Sequence, residues 1–312
     1  MINKMNLSNK GDNFIVMTIT QIMVFVHVAE TLNFTQAAQE LHMTQPAVSH
    51  AIASIENELD VQLLLRDRKK GVLLTEVGQR VLLEFRSILQ SMQKVQQQVA
   101  AEKGLDIGTI TIGAFPSASA YFLPPIIHQI RQNYPNLVFD LQEGSTNEVR
   151  DWVHSRQIEA GLILLPDPLV DTIPLYSDQM IVLLPDGHPL HAQKHISIRH
   201  LDGQDMILCK GGHEVAIMEA FQREKSQLHI NFTTHNISTL VNMVRQGLGI
   251  GIVSELALSM FPHELTVREV SPQITRQIGI AVPSVNNASL AVQLFIRTAK
   301  ELFAAETAAD KV

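Results

Sequence analysis

Between Asn33 and Asp60 the apolar positions fall into two short helical stripes split by a polar turn. Ala37, Ala38 and Leu41 give the first stripe a small, close-packing face, and Thr35 stands where a side-chain oxygen would cap it. Thr44 is placed to cap the second stripe, and Pro46 falls in its first turn, where a missing backbone N–H costs nothing. Val48, Ile52, Ile55 and Leu59 then recur at intervals of four, three and four residues and predict an inward face. The opposite face carries Gln45, Ser49, His50, Ala53 and Asn57, small or polar groups that can approach the edges of bases. Two amphipathic helices across a tight turn also occur in helical domains that never touch DNA, so this pattern alone leaves both readings open.

After the second stripe, Leu63-Leu64-Leu65 and Val72-Leu73-Leu74 flank a charged tip with a glycine turn, which reads as a hairpin wing. Arg66, Arg68, Lys69 and Lys70 are the only Lys or Arg residues between Thr18 and Thr75, so positive charge is gathered where a wing would lie along phosphates. Six acidic residues in the same span (Glu30, Glu40, Glu56, Glu58, Asp60 and Asp67) leave it at a net −2, and a single copy is expected to bind DNA weakly. Pairing would offset that weakness. From Glu76 to Lys103 there is no proline, Gly78 is the only glycine, and Val81, Phe85, Ile88, Met92, Val95 and Val99 alternate at four and three residues, the spacing of a coiled-coil seam. Such a helix spans on the order of 40 Å. Gln90, Gln93, Lys94, Gln96, Gln97 and Gln98 lie off the seam and argue for solvent on most sides, against a long helix packed on its own domain.

Beyond Gly104 the periodicity becomes mixed. Thr109–Gly113, Leu137–Leu141 and Ile158–Leu165 read as strands, and Tyr121–Asn133 and Glu148–Ser155 as helices, an alternation that predicts a mostly parallel sheet with helices on both faces. A second run follows through Gln179–Leu184, Met206–Cys209, Ala216–Arg223, His229–Thr233, Leu240–Gln246 and Gly249–Val253. The chain then returns through Gln277–Val282 and a helix over Leu290–Leu302. At 312 residues there is room for a small head and a larger two-part body. The net charge of −7 favours solubility and says little about nucleic acid, because DNA-facing charge has to be read locally. The single cysteine, Cys209, excludes an internal disulfide and any cysteine cluster for a metal. No apolar run approaches the roughly 20 residues of a membrane span, and the first sixteen residues lack the apolar core of a signal peptide. Residues 1–16 read as a disordered tail, Met17 as a candidate functional start, and the chain as a reduced, cytoplasmic one.

Phe34 to Ala38, Thr44 to Ser49 and Leu74-Thr75-Glu76-Val77-Gly78 reproduce, in order, the Phe-Thr-x-Ala-Ala, Ser/Thr-Gln-Pro-Ala-Val/Leu-Ser and Leu-Thr-Glu-x-Gly segments of LysR-type transcriptional regulators. The chain resembles that family over essentially everything after residue 16, with one departure: His50 stands where members often carry Arg. The resemblance implies an α+β multidomain chain: a winged helix-turn-helix over 17–75, a dimerising linker helix over 76–104, and a two-lobed α/β effector domain of periplasmic-binding-protein type over 105–305, with a short tail at 306–312. Lobe I would comprise about 105–166 and 273–305, and lobe II about 167–272, joined by two crossover strands. It also implies a sequence-specific regulator, not an enzyme, that binds double-stranded DNA at an interrupted palindrome as a dimer or dimer of dimers. A small-molecule effector between the lobes would change DNA bending and contact with RNA polymerase. Thr44, Thr35, Arg66, Arg68, Lys69 and Lys70 are then expected on phosphates, and Gln45, Pro46, Ser49 and His50 on bases and methyl groups.

Ligands in such folds sit beyond the carboxyl ends of strands, where helix N-termini face them. The loops to examine are Phe115–Ser119, Gly144–Asn147 and Asn236–Thr239, each joining hydroxyls to a helix start. Plain capping explains any one of them equally well. Ser117, Ser119, Thr146, Asn147 and Asn236 are the effector candidates, with Cys209, Lys210, Gly211 and Gly212 as weaker ones and Lys210 as a possible partner for a carboxylate. No cofactor or metal is expected. His188, His191, His195 and His200 lack a spacing that fixes one coordination geometry, and the glycines of Gly247-Leu248-Gly249-Ile250-Gly251 precede a strand instead of following one, the wrong order for a dinucleotide loop. Cys209 has no partner cysteine and reads as a small buried residue. A solute-binding protein and an enzyme on the same two-lobed fold are the alternatives; the missing signal peptide opposes the first and the DNA-binding head the second.

Overall fold

The computed structural model describes residues 17–67, 71–102, 108–210 and 214–303. The expected tails at 1–16 and 306–312 lie outside these. Chain contacts divide the protein into two compact units, Met1–Val95 and Gln96–Val312.

The first unit opens on α1 (Ile19–Thr31), a helix for which the sequence reading gave no assignment. A reciprocal box starts it: the Thr18 hydroxyl accepts from Gln21 N–H, and the Gln21 carboxamide accepts from Thr18 N–H. α2 (Phe34–Glu40) and α3 (Gln45–Leu59) follow as predicted. Thr35 does not cap α2. The helix begins one residue before it, and the Asn33 side chain accepts from the N–H groups of Thr35 and Gln36. Thr44 does cap α3, accepting from Ala47 N–H with Pro46 in the first turn. Val48, Ala51, Ile52 and Ile55 are buried against Phe25, Val28, Ala37 and Ala38. The wing is β1 (Leu64–Asp67) paired antiparallel with β2 (Gly71–Leu74).

α4 (Glu76–Glu102) starts at a tight knot beneath the wing. Thr75 donates to the carbonyls of Gln62 and Leu63, Gly78 N–H donates to the Thr75 hydroxyl, and a Cβ on Gly78 would lie 2.1 Å from the Leu63 carbonyl oxygen. Both sides of that clash are backbone, so neither can swing away. Gly78→Ala is expected to cost about 1–3 kcal/mol by overpacking, read as a lower urea midpoint with unchanged slope; an unchanged midpoint would show that the wing base relaxes freely.

The predicted seam on α4 divides in two. Phe85 is buried, its ring edge-on to Phe25 at 5.4 Å, Val81 packs on the same core, and Arg86 reaches Glu30 at 2.9 Å. α1 needs an apolar lid, and the first turns of α4 supply it. Ile88, Met92, Val95 and Val99 continue at the predicted spacing but stay exposed.

The second unit contains β3 (Gly108–Ala114), α5 (Pro116–Asn133), β4 (Leu137–Glu143), α6 (Thr146–His154), β5 (Ala160–Leu165) and β6 (Asp171–Leu184). It continues with β7 (His195–Ser197), β8 (Asp205–Cys209), α7 (Glu214–Arg223), β9 (His229–Thr234), α8 (Ile237–Arg245), β10 (Ile250–Ser254) and α9 (Glu255–Ser259). β11 (Thr266–Ser271), β12 (Thr275–Val282) and α10 (Leu290–Phe303) complete it. Strand order is β4-β3-β5-β12-β6-β10-β8-β9, with β11 joining β6 to β7. The outer pairs β3-β4, β3-β5, β8-β9 and β8-β10 are parallel as predicted; the central ones are antiparallel. β6 and β12 cross between two lobes: Asp171–Gln179 pairs with β12, and Met180–Leu184 pairs with β10 and β11. Each lobe has apolar side chains on both sheet faces. In lobe I, Phe122, Ile126 and Phe295 cover one face and Val149 and Val153 the other.

Candidate nucleic-acid interface and effector cleft

On the head, burial separates the two sides of α3 as the spacing predicted. Gln45, Pro46, His50, Ala53 and Asn57 are exposed and Ser49 is half-buried, while Val48, Ile52 and Ile55 of the inward stripe are buried and Leu59 at its end is partly buried. The Gln45 carboxamide lies 3.5 Å from the Ser49 hydroxyl, so the two polar groups stand side by side on the outer face. Thr44 is exposed with its oxygen accepting from Ala47 N–H, which leaves the hydroxyl hydrogen to donate. Thr35 is exposed in the first turn of α2. The backbone of Arg66 lies in β1; its side chain, together with Arg68, Lys69 and Lys70, lies outside the described residues.

On the body, the strand ends carry the expected candidates in altered local settings. Phe115–Ser119 is not a loop: α5 begins at Pro116, whose fixed φ suits a first helical position, so Ser117 and Ser119 belong to its first turns, half-buried and buried respectively. β3 and β4 pair in parallel to their last residues, Ala114 opposite Glu143, so α5 and α6 leave the sheet from the same edge. Ser145, not Thr146, caps α6, in a capping box with Glu148 whose carboxyl is held below its ordinary range by the Ser145 hydroxyl and N–H. Thr146 is therefore free of capping duty. It is buried, and its hydroxyl oxygen has no hydrogen-bond partner. Asn147 is exposed. Asn236 caps α8, its side-chain oxygen taken by Ser238 N–H and Oγ. Cys209 ends β8 buried, and Lys210 is exposed with its N–H on the Thr234 carbonyl. Gly211 and Gly212 lie outside the described residues.

Burial pushes the Cys209 thiol up to about 11, with Glu214 adding to the rise and Arg276 opposing it. A thiol in that state is almost wholly protonated near neutral pH. Its alkylation by iodoacetamide at pH 7.5 is expected to run about two orders of magnitude slower than that of a free thiol and to accelerate as pH rises; a rate matching free cysteine would contradict the buried setting. Three of the four histidines have structural partners: His188 and His200 accept from backbone N–H groups of Leu190 and Ser197, and His195 pairs with Glu269, while His191 Nε2 is buried without a hydrogen-bond partner. Gly247 stops α8 with φ +75°, and a Cβ on Gly249 would strike the Asp205 carbonyl, so the segment forms a helix stop and a tight strand entry.

The reading of strand-end loops missed three charged or polar residues that the fold gathers. Arg276 on β12 donates from Nε to Asp178 on β6 at 2.7 Å and from Nη2 to the Ser254 hydroxyl at 3.1 Å. Ser254 donates in turn to Asp178 at 2.6 Å, and Leu256 N–H donates to the other Asp178 oxygen. The guanidinium also sits 5.4 Å from the centroid of the Phe115 ring, so one cluster touches the carboxyl ends of β3 in lobe I and β10 in lobe II. All three polar residues are buried. The signal in the sequence was slight: Asp178 and Arg276 each stand one residue ahead of a run expected as a strand, Gln179–Leu184 and Gln277–Val282. Surface hollows elsewhere, about 630 Å³ beside Tyr134 and Arg297 and about 600 Å³ beside His191 and Arg268, contain none of the expected effector residues.

A winged head whose α3 keeps an exposed polar face, joined to a two-lobed body, has the layout of a DNA-binding regulator with a small-molecule domain. The model for bacterial regulatory helix-turn-helix proteins of the lysR family matches residues 19–79, and that for the LysR substrate binding domain matches residues 103–304. The chain belongs to the LysR family of transcription regulators. It is 49% identical to the HTH-type transcriptional regulator YvbU of Bacillus subtilis over 93% of this chain and 100% of that one. It is 32% identical to the Hca operon transcriptional activator HcaR of Escherichia coli, over 76% and 81%. Full-length OxyR of Pseudomonas aeruginosa superposes with a TM-score of 0.75 at 25% identity, covering 91% of this chain and 95% of that one. These relatives are regulators, and the enzyme alternative falls away with them.

Proposed function

We propose that two copies pair through Ile88, Met92, Val95 and Val99, set two α3 helices into major grooves of an interrupted palindromic operator, and form dimers or dimers of dimers there. Gln45, Pro46, Ser49 and His50 read base edges, with Thr35, Thr44 and the wing residues Arg66, Arg68, Lys69 and Lys70 on phosphates. An effector held among Ser117, Ser119, Thr146, Asn147, Cys209, Lys210, Gly211 and Asn236 favours one arrangement of the lobes, and the linker helices pass that preference to the heads, altering bend and contact with RNA polymerase. The protein works in the cytoplasm; among the described residues no helix is long and apolar enough to cross a membrane.

The observation that carries this reading is the outer face of α3, a run of exposed small and polar side chains on a helix otherwise fixed by its buried stripe. An apolar stripe left in water on α4 supports pairing. Fluorescence anisotropy with the region upstream of the protein's own gene tests it: binding should be sequence-selective and fall steeply with salt. Equal affinity for that region and for scrambled DNA would remove the regulator reading. The buried, protonated thiol of the only cysteine favours a bound effector over thiol oxidation as the input.

A further inference from the structure

We propose that Arg276 selects the effector, and that the effector is an anion which presents a carboxylate to its free guanidinium nitrogen. The inference rests on the regulator reading above and names the ligand class for its body. Arg276 Nη1 is buried and has no hydrogen-bond partner, whereas Nε and Nη2 of the same group are committed to Asp178 and Ser254. Leaving donors of a permanent cation unmatched away from water is costly, and a fold keeps such a group where something else comes to meet it.

Three features set the chemistry of that partner. The acceptors nearby are already used: one Asp178 oxygen takes Arg276 Nε and Ser254 Oγ, and the other takes Leu256 N–H. At Nη1 a ligand therefore meets a donor. The Thr146 hydroxyl, buried without a partner at the start of α6, adds a second such group on the edge where Phe115 and α5 leave the sheet. The N-termini of α5 and α6 open on that edge with positive partial charge. A carboxylate answers all three, since charge-assisted N–H···O⁻ bonds are about twice as strong as neutral ones. An amide of the same shape brings a weaker acceptor and two donors with nowhere to go.

The placement also supplies a reason for a response. Arg276 and Asp178 lie on the two crossover strands, Phe115 follows a lobe I strand directly, and Ser254 ends a lobe II strand. A carboxylate bound at Nη1 joins a cluster that both lobes share, so its binding energy depends on how the lobes meet.

The test uses the full-length protein titrated with benzoate and acetate against benzamide and acetamide. Ligand binding is followed by the fluorescence of Trp152, the single tryptophan, whose ring lies against the Gly144 position two residues before Thr146, and by thermal shift. Operator binding is measured separately by anisotropy. Benzoate or acetate should bind at least about tenfold more tightly than its amide. Arg276→Lys, which keeps the charge and loses the planar fork, should weaken carboxylate binding by about tenfold or more. Because Arg276→Gln alone strands the Asp178 charge, the double variant D178N/R276Q serves as the neutral replacement and should abolish carboxylate binding while circular dichroism stays native. Amides binding as tightly as carboxylates, a folded double variant binding benzoate like the parent, or no response to either carboxylate would each overturn the assignment. In all three cases intact operator binding would leave the regulator reading standing, whereas loss of selectivity in the parent protein would remove that reading itself.

Discussion

Ser49→Trp is expected to abolish operator-selective binding while leaving the protein folded and its weak affinity for random DNA nearly unchanged. Ser49 lies on the outer side of α3 beside Gln45, next in the chain to fully buried Val48, so the backbone at this point is fixed by the core behind it. An indole there cannot be relieved by shifting the helix outward without uncovering Val48 and Ile52. The helix must instead ride higher in the groove, and every short side chain on its face loses reach together. Specific complexes are typically about 10³–10⁷ tighter than non-specific ones, and each base contact contributes about 1–3 kcal/mol. A loss of about 100-fold or more on the operator is the expected outcome, against a change within about threefold on scrambled DNA, where phosphate contacts dominate. Parallel anisotropy titrations on both sequences check it. Equal losses on the two would show that Ser49 has no part in reading bases.

Phe85→Ala should produce the largest loss of stability available on the head. The ring is 4% exposed, edge-on to Phe25, which is fully buried in the centre of the α1 packing surface. Removing it deletes the lid over α1 and leaves a void walled by Phe25 and its neighbours, at a cost of about 3–5 kcal/mol. Stabilities of whole domains are about 5–15 kcal/mol, so the head should unfold well below the body. Two separated transitions in calorimetry, where the parent shows the head melting higher, is the expected record. A single unshifted transition would mean that Phe85 contributes little. The same substitution should weaken DNA binding near the new midpoint, because α3 packs within the same core.

What the sequence made legible follows from how local each signal was. The two stripes of α2 and α3, the cap at Thr44 and the wing hairpin depend on neighbours within a few residues, and the fold reproduces them. Thr35 shows the limit: it was the expected cap, but α2 starts at Phe34, two residues earlier than a Thr35 cap requires, and Asn33 caps it instead. Phe85 matched the seam spacing as well as Met92 does, but periodicity along one helix cannot say which turn meets α1 and which meets water. β7, with three residues, carries too little pattern to be read, and β11 and α9 went unread as well. The Asp178–Arg276–Ser254 cluster was invisible for a different reason. Its members are separated by 76 and 22 positions along the chain and are brought together only by the pairing of β6 with β12 and β10.

That pairing also governs how such a body can be reshuffled between genes. Lobe I is finished by β12 and α10, which arrive only after the whole of lobe II has been made, and β6 belongs to both halves along its 14 residues. A single recombination joint anywhere between Asp171 and Thr275 would graft one parent's returning strand onto the other parent's sheet. Exchange of effector specificity as a module therefore needs two joints, one in each crossing strand, and descendants of a single joint inherit a mismatched seam through the middle of the molecule.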